Sequence, residues 1–285
     1  MQRRTNSFIK LQQAWFAAFF FPIQGIKREW PTVELQQHTF LEFHQFSTAS
    51  MRLYRCLLLL VVAIFAAPAQ ASDIFWVWHD SDTPALLPGQ ELAVLQQHFV
   101  FDKTGTHLRQ RMKPLHIRPG TRVTPVVHAQ IATADMPQLG QPQAQTLLKA
   151  VLQAGQKTRS GWVQFDFEVP RQQRAFYLDL VQQMRAQLPA SIKLSVSALA
   201  SWCFEDEFIS QIAADEVVPM LFALGQPASI LHSQFLLQEP RLAKACQQQA
   251  IGFARQEAPP LQLQQRYARR YWFSYTRNPA PPPGE

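Results

Sequence analysis

The sequence has few charged residues, few glycines and few cysteines, and each shortage argues against a class of protein or site. Only 16% of the 285 residues are charged, which is low for a cytosolic protein. The 10 glycines form neither the G-x-G-x-x-G fingerprint nor a Walker loop, so neither nucleotide-phosphate motif is present. Three cysteines cannot supply a four-cysteine metal site. The sequence also lacks a G-x-S-x-G elbow, an H-E-x-x-H motif and a papain-like cysteine surround, which disfavours nucleophilic serine or cysteine catalysis.

No apolar run is long enough to cross a bilayer, but one run has the form of a signal peptide. The segment MRLYR begins at Met51, an apolar run spans residues 56–67, and Pro68-Ala-Gln-Ala71 follows it. A basic segment, a short apolar run and small residues before the cleavage point occur in this order in secretory signals. The run has about twelve residues where about 20 are needed to span, so a retained membrane anchor is the weaker alternative. We expect a signal peptide over residues 51–71 and a periplasmic or secreted protein.

A signal peptide normally stands at the N-terminus, yet fifty residues precede Met51. Residues 1–50 are rich in aromatic side chains but show no sustained helical or alternating period. We therefore expect Met51 to be the true start, and residues 1–50 to be a non-native or disordered upstream extension. At the other end, residues 278–285 are a proline-rich tail that is expected to be disordered.

The formal net charge of +7 does not indicate a nucleic-acid partner. Seven of the 27 basic residues and three of the 20 acidic ones precede Ser72, which leaves about +3 on the mature chain. The densest basic cluster is Arg266, Arg269 and Arg270, and no nucleic-acid-binding signature accompanies it. We expect no nucleic-acid partner, and we expect this cluster to be a solvated structural edge.

The mature chain keeps two cysteines, Cys203 and Cys246. In an oxidising compartment they can form a disulfide, or they can remain as two small buried apolar residues. Spacing alone does not show whether their Cα atoms come within about 7 Å of each other, so both alternatives stay open.

Hydrophobic periodicity between residues 141 and 200 switches between the helical and the strand pattern. Apolar residues recur at helical spacing over Ala144–Leu152 and Phe176–Leu188, with Gly155 placed to end the first helix. Trp162–Glu168 and Lys193–Leu199 alternate strictly instead. A helix–strand–helix–strand order with short connections indicates βαβ units and a parallel sheet.

Six further strands bring the expected total to eight. They lie at Ile74–His79, Leu92–Phe101, Thr121–His128, Glu216–Ala223, Ala250–Phe253 and Arg269–Tyr275. Eight strands with helices between some of them predict an α/β fold, a compact (β/α)₈ TIM-like barrel over residues 72–277 with some helices reduced. An open doubly wound sheet is the alternative, and the missing phosphate-binding motifs give it little support.

The fourth expected strand carries the candidate catalytic residues. Residues two apart on a strand share a face, so Gln164, Asp166 and Glu168 lie opposite the three apolar residues that alternate with them. The outer face of a barrel packs on helices, so the polar face is expected to point inward, towards the C-terminal mouth where barrel enzymes place their sites. Two close carboxyl groups cannot ionise independently, and the one with the higher pKa can serve as a general acid. In the structural alternative, both carboxyls only accept hydrogen bonds from Ser195 and Ser197 on the next strand.

Aromatic and imidazole side chains at other strand ends are candidate substrate-binding residues. Trp78 and His79 end the first strand, His128 ends the third, and Trp202 follows the fifth. Indole rings at a barrel mouth suit the C–H faces of sugars, so these residues, with Gln164, are expected to bind substrate. A core tryptophan or a strand-capping histidine is the simpler interpretation of each residue taken alone.

Four segments of the central chain carry a resemblance to a known family: WVQFDFEVP at 162–170, FYLDL at 176–180, QLP at 187–189 and LSVSALASW at 194–202. They resemble the exported bacterial domain-of-unknown-function family 3142, which is grouped with TIM-barrel glycoside hydrolases. The resemblance extends more weakly from Ile74 to Tyr275. It implies an exported barrel and no particular established activity.

The same strand is similar to chitinase-type enzymes, whose pattern is D-x-x-D-x-D-x-E. Asp166 and Glu168 match that pattern, while Gly161 and Gln164 stand in place of the other two acids. The similarity implies that Glu168 is the acid and that Asp166 is its partner, which orients a substrate acetamido group. The wider family often carries Asp where this chain has Glu168, which points to a binding role or a modified catalytic role.

We therefore expect an exported TIM-barrel protein that hydrolyses an envelope or amino-sugar glycan through Asp166 and Glu168, with no metal or other cofactor. The alternative is a non-catalytic barrel that binds glycan or envelope material, and a purely structural envelope protein comes third. The expected partner is a glycan or another small-molecule or polymer ligand. The chain is expected to be a monomer without a stable membrane span.

Overall fold

A computed structural model of the chain describes residues 71–78, 85–110, 115–132, 137–204, 208–225 and 228–274. The strands in these residues are β1 Ser72–Val77, β2 Glu91–Asp102, β3 Gly105–Gln110, β4 Val123–Ile131, β5 Trp162–Phe167, β6 Lys193–Leu199, β7 Glu216–Met220, β8 Ala250–Ala254 and β9 Arg269–Phe273. The α-helices are α1 Gln141–Gly155, α2 Arg174–Gln187, α3 Ala228–Leu237 and α4 Leu261–Arg266. Short 3₁₀ turns occupy Arg171–Gln173, Ala200–Cys203, Ile209–Gln211 and Lys244–Gln247.

Eight of the strands close into a parallel barrel. Their hydrogen-bonded order is β1-β9-β8-β7-β6-β5-β4-β2, and β1 also pairs with β2, which closes the ring. The remaining strand, β3, lies outside the ring and pairs antiparallel with β2 as a hairpin. The predicted TIM-like barrel is confirmed. The open doubly wound sheet is wrong, because both sides of β1 are paired and the ring has no open edge there.

The eight strands expected from the sequence are the eight barrel strands, with small differences at their ends. The expected strand ends His79 and Tyr275 lie outside the described residues. Residues 1–70, which contain all of the expected signal peptide except Ala71, and the tail 278–285 also lie outside them. The hairpin strand β3 was not expected. The sequence feature that marks the hairpin is Gly105, the first residue of β3, whose φ is positive at 132°.

The two helices expected from the sequence are α1 and α2. A proline stands in the first turn of α1, and the side chain of Gln143 accepts a hydrogen bond of 3.1 Å from the N–H of Gly140. Helix α1 ends at Gly155, but the glycine is needed for packing there. A Cβ at Gly155 would lie 2.9 Å from Cδ2 of Leu188, so the missing side chain lets the end of α1 approach the end of α2.

The helical layer around the barrel is incomplete, as predicted. The described residues between β6 and β7 form only 3₁₀ turns, and a further 3₁₀ turn precedes β8. Within the described ranges, no helix is both long and apolar enough to cross a membrane.

The apolar residues of β5 face outward, as the alternation predicts. Phe165 and Phe167 are fully buried and lie 6.0 and 6.3 Å, between ring centroids, from Tyr177 on α2. Helix α2 therefore covers this part of the barrel, and the polar residues of β5 point into the lumen.

The N-terminal half of the lumen is filled by a polar network of Ser195, Glu216, Arg269 and Tyr271, which we call the floor network. Glu216 Oε2 accepts a hydrogen bond of 2.6 Å from Arg269 Nε. Glu216 Oε1 accepts bonds of 2.8 Å from the hydroxyls of Ser195 and Tyr271. The guanidinium of Arg269 also lies over the ring of Trp162, 4.3 Å from its centroid. Each buried carboxylate oxygen thus has a donor, which is the condition for keeping a charge in a barrel interior.

The basic cluster near the C-terminus is not a solvated edge. Successive residues of β9 face opposite sides, so Arg269 points into the lumen while Arg270 points outward. Arg270 binds both carboxylate oxygens of Asp73, at 2.8 and 3.0 Å. The expectation failed because two of the three arginines have carboxylate partners that are distant in sequence.

Above the floor network, Trp76 and Gln164 fill the middle of the lumen. The indole Nε1 of Trp76 donates to Gln164 Oε1 at 2.5 Å, and Gln164 Nε2 donates to Ser195 Oγ at 3.3 Å. A Cβ at Gly252 would lie 3.2 Å from the Trp76 ring, so β8 carries a glycine where the indole needs space.

Cys203 and Cys246 form a disulfide with their Cα atoms 5.8 Å apart. The bond joins the turn that follows β6 to the turn that precedes β8. The question that the spacing left open is therefore answered by the fold, which brings the two turns together.

Replacing both cysteines by serine is expected to lower the free energy of unfolding by about 4 kcal/mol, because the unfolded chain loses a cross-link across 43 residues. Urea denaturation of the oxidised protein and of the double variant measures the difference. Reductant should destabilise the wild type and leave the double variant unchanged. A wild type that is insensitive to reductant contradicts the prediction.

Candidate active site

Five side chains from successive barrel strands meet at the C-terminal end of the lumen. Trp78 directly follows β1, His98 lies in β2, His128 in β4, Asp166 in β5 and Ser197 in β6. We call this group the mouth cluster. The C-terminal ends of parallel barrel strands meet at one rim, which is where the fold places active sites.

Both carboxylate oxygens of Asp166 are occupied by protein donors. Oδ2 lies 2.8 Å from His128 Nδ1, and Oδ1 accepts a hydrogen bond from the hydroxyl of Ser197. Burial raises the pKa of Asp166, but the adjacent His128, the hydrogen bonds from His128 and Ser197, and the nearby His98 lower it further than burial raises it. The net effect is a pKa below the ordinary value, so Asp166 stays a carboxylate although it is only 7% exposed.

Aromatic rings hold His128 in place against Asp166. The centroid of its imidazole lies 4.7 Å from those of Trp78 and His98, in both cases edge to face. Trp78 also lies 6.0 Å from Phe273 of β9. The imidazole is buried between these rings, while the indole of Trp78 is half-buried. The mouth cluster therefore presents a partly open indole beside a fixed imidazole–carboxylate pair.

A β-bulge turns His98 into the lumen. The register between β2 and β4 shifts between Leu95 and Gln97, so β2 contains one extra residue. Before the bulge, the even-numbered Leu92 and Val94 pack in a separate apolar cluster outside the barrel. Beyond the bulge the alternation is reversed, and the even-numbered His98 faces the other members of the mouth cluster.

Glu168 directly follows β5 and continues the face of Gln164 and Asp166. It is half-buried, and its Oε1 is buried with no hydrogen-bond partner among the described residues. Burial, and then the negative charge of Asp166, raise the pKa of Glu168 well above its ordinary value. The two carboxyl groups thus have pKa values moved in opposite directions, the arrangement that separates a proton donor from a stabilising anion.

Two residues expected to bind substrate lie away from the mouth. Gln164 is fully buried in the middle of the lumen, where its amide is used by Trp76 and Ser195. Trp202 is 3% exposed and packs 5.2 Å from Phe208, because the 3₁₀ turn after β6 carries it away from the lumen into the outer core. Neither has a surface open to a ligand, so both expectations are corrected here. His79, also expected to bind substrate, lies outside the described residues.

In the structural alternative, Asp166 and Glu168 only accept hydrogen bonds from serines on the next strand. This explanation holds for Asp166 but not for Glu168. Ser197 donates to Asp166 as that alternative requires. Ser195, in contrast, donates to Glu216 in the floor network. The buried Oε1 of Glu168 has no donor from either serine, so packing of the strand does not explain why a carboxyl group stands there.

His98 was not expected to be a site residue, and Ser197 was expected only as a structural neighbour of the carboxyl pair. His98 belongs to the mouth cluster because of the bulge in β2, which the hydrophobic pattern does not reveal. Phe273, which packs on Trp78, was counted only as part of a strand. In the described part of the chain, no three His, Cys, Asp or Glu side chains are grouped so that they could hold a metal ion.

No family model matches the chain, and no curated protein matches it. A solved structure with some similarity is the crystal structure of the Bacillus cereus spore cortex-lytic enzyme SleL, with 15% identity and a TM-score of 0.41 over 65% of this chain. The chain spans half the length of that structure, since the match covers 50% of it. The assignment of the barrel rests on the strand pairing.

Proposed function

We propose that the chain is an exported glycan hydrolase that acts on an envelope or amino-sugar glycan, and that it belongs to the exported bacterial family that its central segments resemble. The observation that carries the proposal is the carboxyl pair at the C-terminal rim. Asp166 is held ionised by His128 and Ser197, while Glu168 has a raised pKa and a buried oxygen with no partner among the described residues. A proton donor beside a fixed anion is what cleavage of a glycosidic bond needs.

The proposed reaction uses the two carboxyl groups in separate roles. Glu168 donates its proton to the glycosidic oxygen as the bond from that oxygen to the anomeric carbon breaks. The carboxylate of Asp166 stabilises the positive charge that develops on the sugar ring. Water then bonds to the anomeric carbon, and its proton returns to Glu168, which regenerates the acid. The contacts of His128 and Ser197 with the two oxygens of Asp166 hold the carboxylate in place, and in the proposed reaction Asp166 acts through its charge.

The rate of hydrolysis is expected to fall at both high and low pH. It should fall as pH rises through the raised pKa of Glu168, because the proton donor is lost. It should also fall as pH drops towards the lowered pKa of Asp166, because the stabilising anion is lost. The measurement is kcat/KM against pH on a soluble glycan fragment. A rate that increases steadily above neutral pH contradicts the assignment of Glu168 as the acid.

A non-catalytic glycan-binding barrel is the second candidate. The observation in its favour is the half-buried indole of Trp78 at the mouth, next to the imidazole of His128. Indole rings of this kind stack on the C–H faces of sugars, and such stacking requires no proton donor.

Incubation of the purified protein with peptidoglycan sacculi and with chitin separates the two candidates. Hydrolysis is expected to release new reducing ends from at least one polymer. Cosedimentation with a polymer and no release supports the binding barrel. If the protein neither releases reducing ends nor cosediments with a polymer, both functions are contradicted.

Export is tested separately, by N-terminal sequencing of the protein recovered outside the cytoplasm. The proposal predicts a mature chain that begins at Ser72. A chain that begins upstream of Ser72, or recovery from the cytoplasm alone, contradicts it.

A further inference from the structure

The hairpin of β2 and β3 extends the barrel wall beyond the end of β1. Strand β1 pairs with β2 only over Glu91–Val94. From Gln97 to Phe101, β2 pairs with β4 on one side and with β3 on the other. Strand β3 therefore takes the place of β1 along the upper wall. The inner face of the hairpin continues the lumen wall from the mouth cluster towards solvent.

Arg109 lies on this inner face. It stands directly opposite His98 in the antiparallel pair. Directly opposed residues place their side chains on the same face of a sheet, with Cβ atoms about 4.5–5.5 Å apart. The ring of His98 lies 6.2 Å from that of Trp78 and 4.7 Å from that of His128. Arg109 is exposed and shares the inner face of the hairpin with His98, so its guanidinium is open to solvent at the rim of the lumen.

The other ionisable groups on the inner face of the hairpin are engaged with one another. His107 stands opposite Val100 and contacts Asp102 at 3.1 Å. Asp102 also accepts hydrogen bonds from the N–H and the hydroxyl of Thr104, and these contacts lower its pKa to about 2. The charge of His107, when protonated, is thus balanced by Asp102. Arg109 is always charged and offers a planar fork of donors that matches a carboxylate.

We propose that Arg109 and Trp78 form a subsite for a sugar unit that bears a carboxylate, next to the bond that Glu168 protonates. Trp78 stacks on the ring of that unit, and Arg109 binds its carboxylate with two parallel N–H···O bonds. The inference rests on the proposed function for the glycan nature of the ligand, and it adds that the glycan is acidic. A uronic acid and a lactyl ether on an amino sugar both present such a group.

Titration calorimetry on the full chain tests the subsite, in a Glu168→Gln background that prevents turnover. One pair of ligands is hyaluronan tetrasaccharide and its carboxyl-reduced derivative. The other pair is the N-acetylglucosamine–N-acetylmuramic acid disaccharide and neutral chitobiose. In at least one pair, the acidic member is expected to bind about tenfold more tightly than the neutral one. The pair that shows this preference identifies the source of the carboxylate.

Arg109→Gln should abolish the preference and leave the affinity for the neutral ligand unchanged. The matched control is Arg118→Gln, which removes the same charge from an exposed position before β4, at the opposite end of the barrel. The control should keep the preference. Equal binding within both pairs, or a preference that survives Arg109→Gln, overturns the subsite and leaves the proposed function standing. Failure of all four ligands to bind contradicts the proposed function and the subsite with it.

Discussion

Replacing Glu168 by glutamine is expected to reduce hydrolysis of the glycan about a thousandfold while affinity stays within about twofold. Glutamine keeps the size of the side chain and its ability to hydrogen-bond, but it has no acidic proton to give to the leaving oxygen. The measurement is single-turnover hydrolysis together with binding of the same polymer. A variant that retains the wild-type rate rejects the acid assignment.

The same substitution is expected to stabilise the fold at neutral pH. The pKa of Glu168 is raised above the value of 4.5 that it has in an unfolded chain. Between those two pKa values the folded state binds more protons than the unfolded state, so stability falls as pH rises. Glutamine does not titrate and escapes that loss. Thermal denaturation should therefore show a higher midpoint for Glu168→Gln at pH 7 and a smaller difference below pH 4.5.

A suitable control for both measurements is Glu239→Gln, the same chemical change just beyond the end of α3 and outside the barrel. Activity and its pH dependence should stay at the wild-type level in this variant. Equal effects of the two substitutions on activity contradict a specific role for Glu168.

The second large effect is expected at Glu216, in the floor network. Glu216→Ala should lower the free energy of unfolding by about 3–5 kcal/mol, because it leaves the guanidinium of Arg269 buried without its carboxylate. Ser195 and Tyr271 lose their acceptor at the same time. Urea denaturation at neutral pH measures the loss.

The neighbouring Asp215 provides the comparison. It pairs with Arg185 at 2.6 Å, but its side chain is 35% exposed, so water screens the pair. Asp215→Ala should cost about 1–2 kcal/mol, because it removes this screened pair and the acceptor of a 2.7 Å hydrogen bond from the N–H of Leu194. Equal losses for Asp215→Ala and Glu216→Ala contradict the view that the buried network supports the base of the barrel.

The barrel itself could be predicted because its strands have two faces with different requirements. Residues such as Phe165 and Phe167 must be apolar to pack under α2, so the alternation with polar residues identifies both the strand and its direction. The same alternation predicts that Asp166 faces the lumen, and in the structure it does so, with His128 as its partner.

The depth of a residue in the barrel could not be predicted from the same pattern. Two residues along a strand move a side chain by about 6.6 Å, which is the difference between the middle of the lumen and its mouth. Gln164 and Asp166 share a face, but only Asp166 reaches the mouth cluster. The alternation of polar and apolar residues shows which face of the strand a side chain is on. It does not show how far along the barrel axis the side chain lies.

Other parts of the site depend on irregularities that no periodic pattern contains. His98 faces inward only because the bulge at Leu95–Gln97 reverses the alternation of β2. Trp202 leaves the mouth because a 3₁₀ turn follows β6 directly. The disulfide between Cys203 and Cys246 depends on the approach of two turns, which spacing along the chain does not determine.

The carboxyl groups at the floor and at the mouth of the lumen differ in their hydrogen bonding. At the floor, the carboxylate of Glu216 has donors for both oxygens and contributes to stability. At the mouth, Glu168 has a buried oxygen with no donor among the described residues, which costs stability. Natural proteins keep such a group where it serves a reaction or a ligand.

The most direct test of the account is a carbon-13 NMR titration of the side-chain carboxyls, with Glu168→Gln and Asp166→Asn spectra for assignment. Glu168 is expected to titrate well above 4.5, and Asp166 is expected to titrate below 3.8. A Glu168 midpoint at or below 4.5 would mean that no proton donor is held beside Asp166, and the proposed hydrolysis would lose its acid.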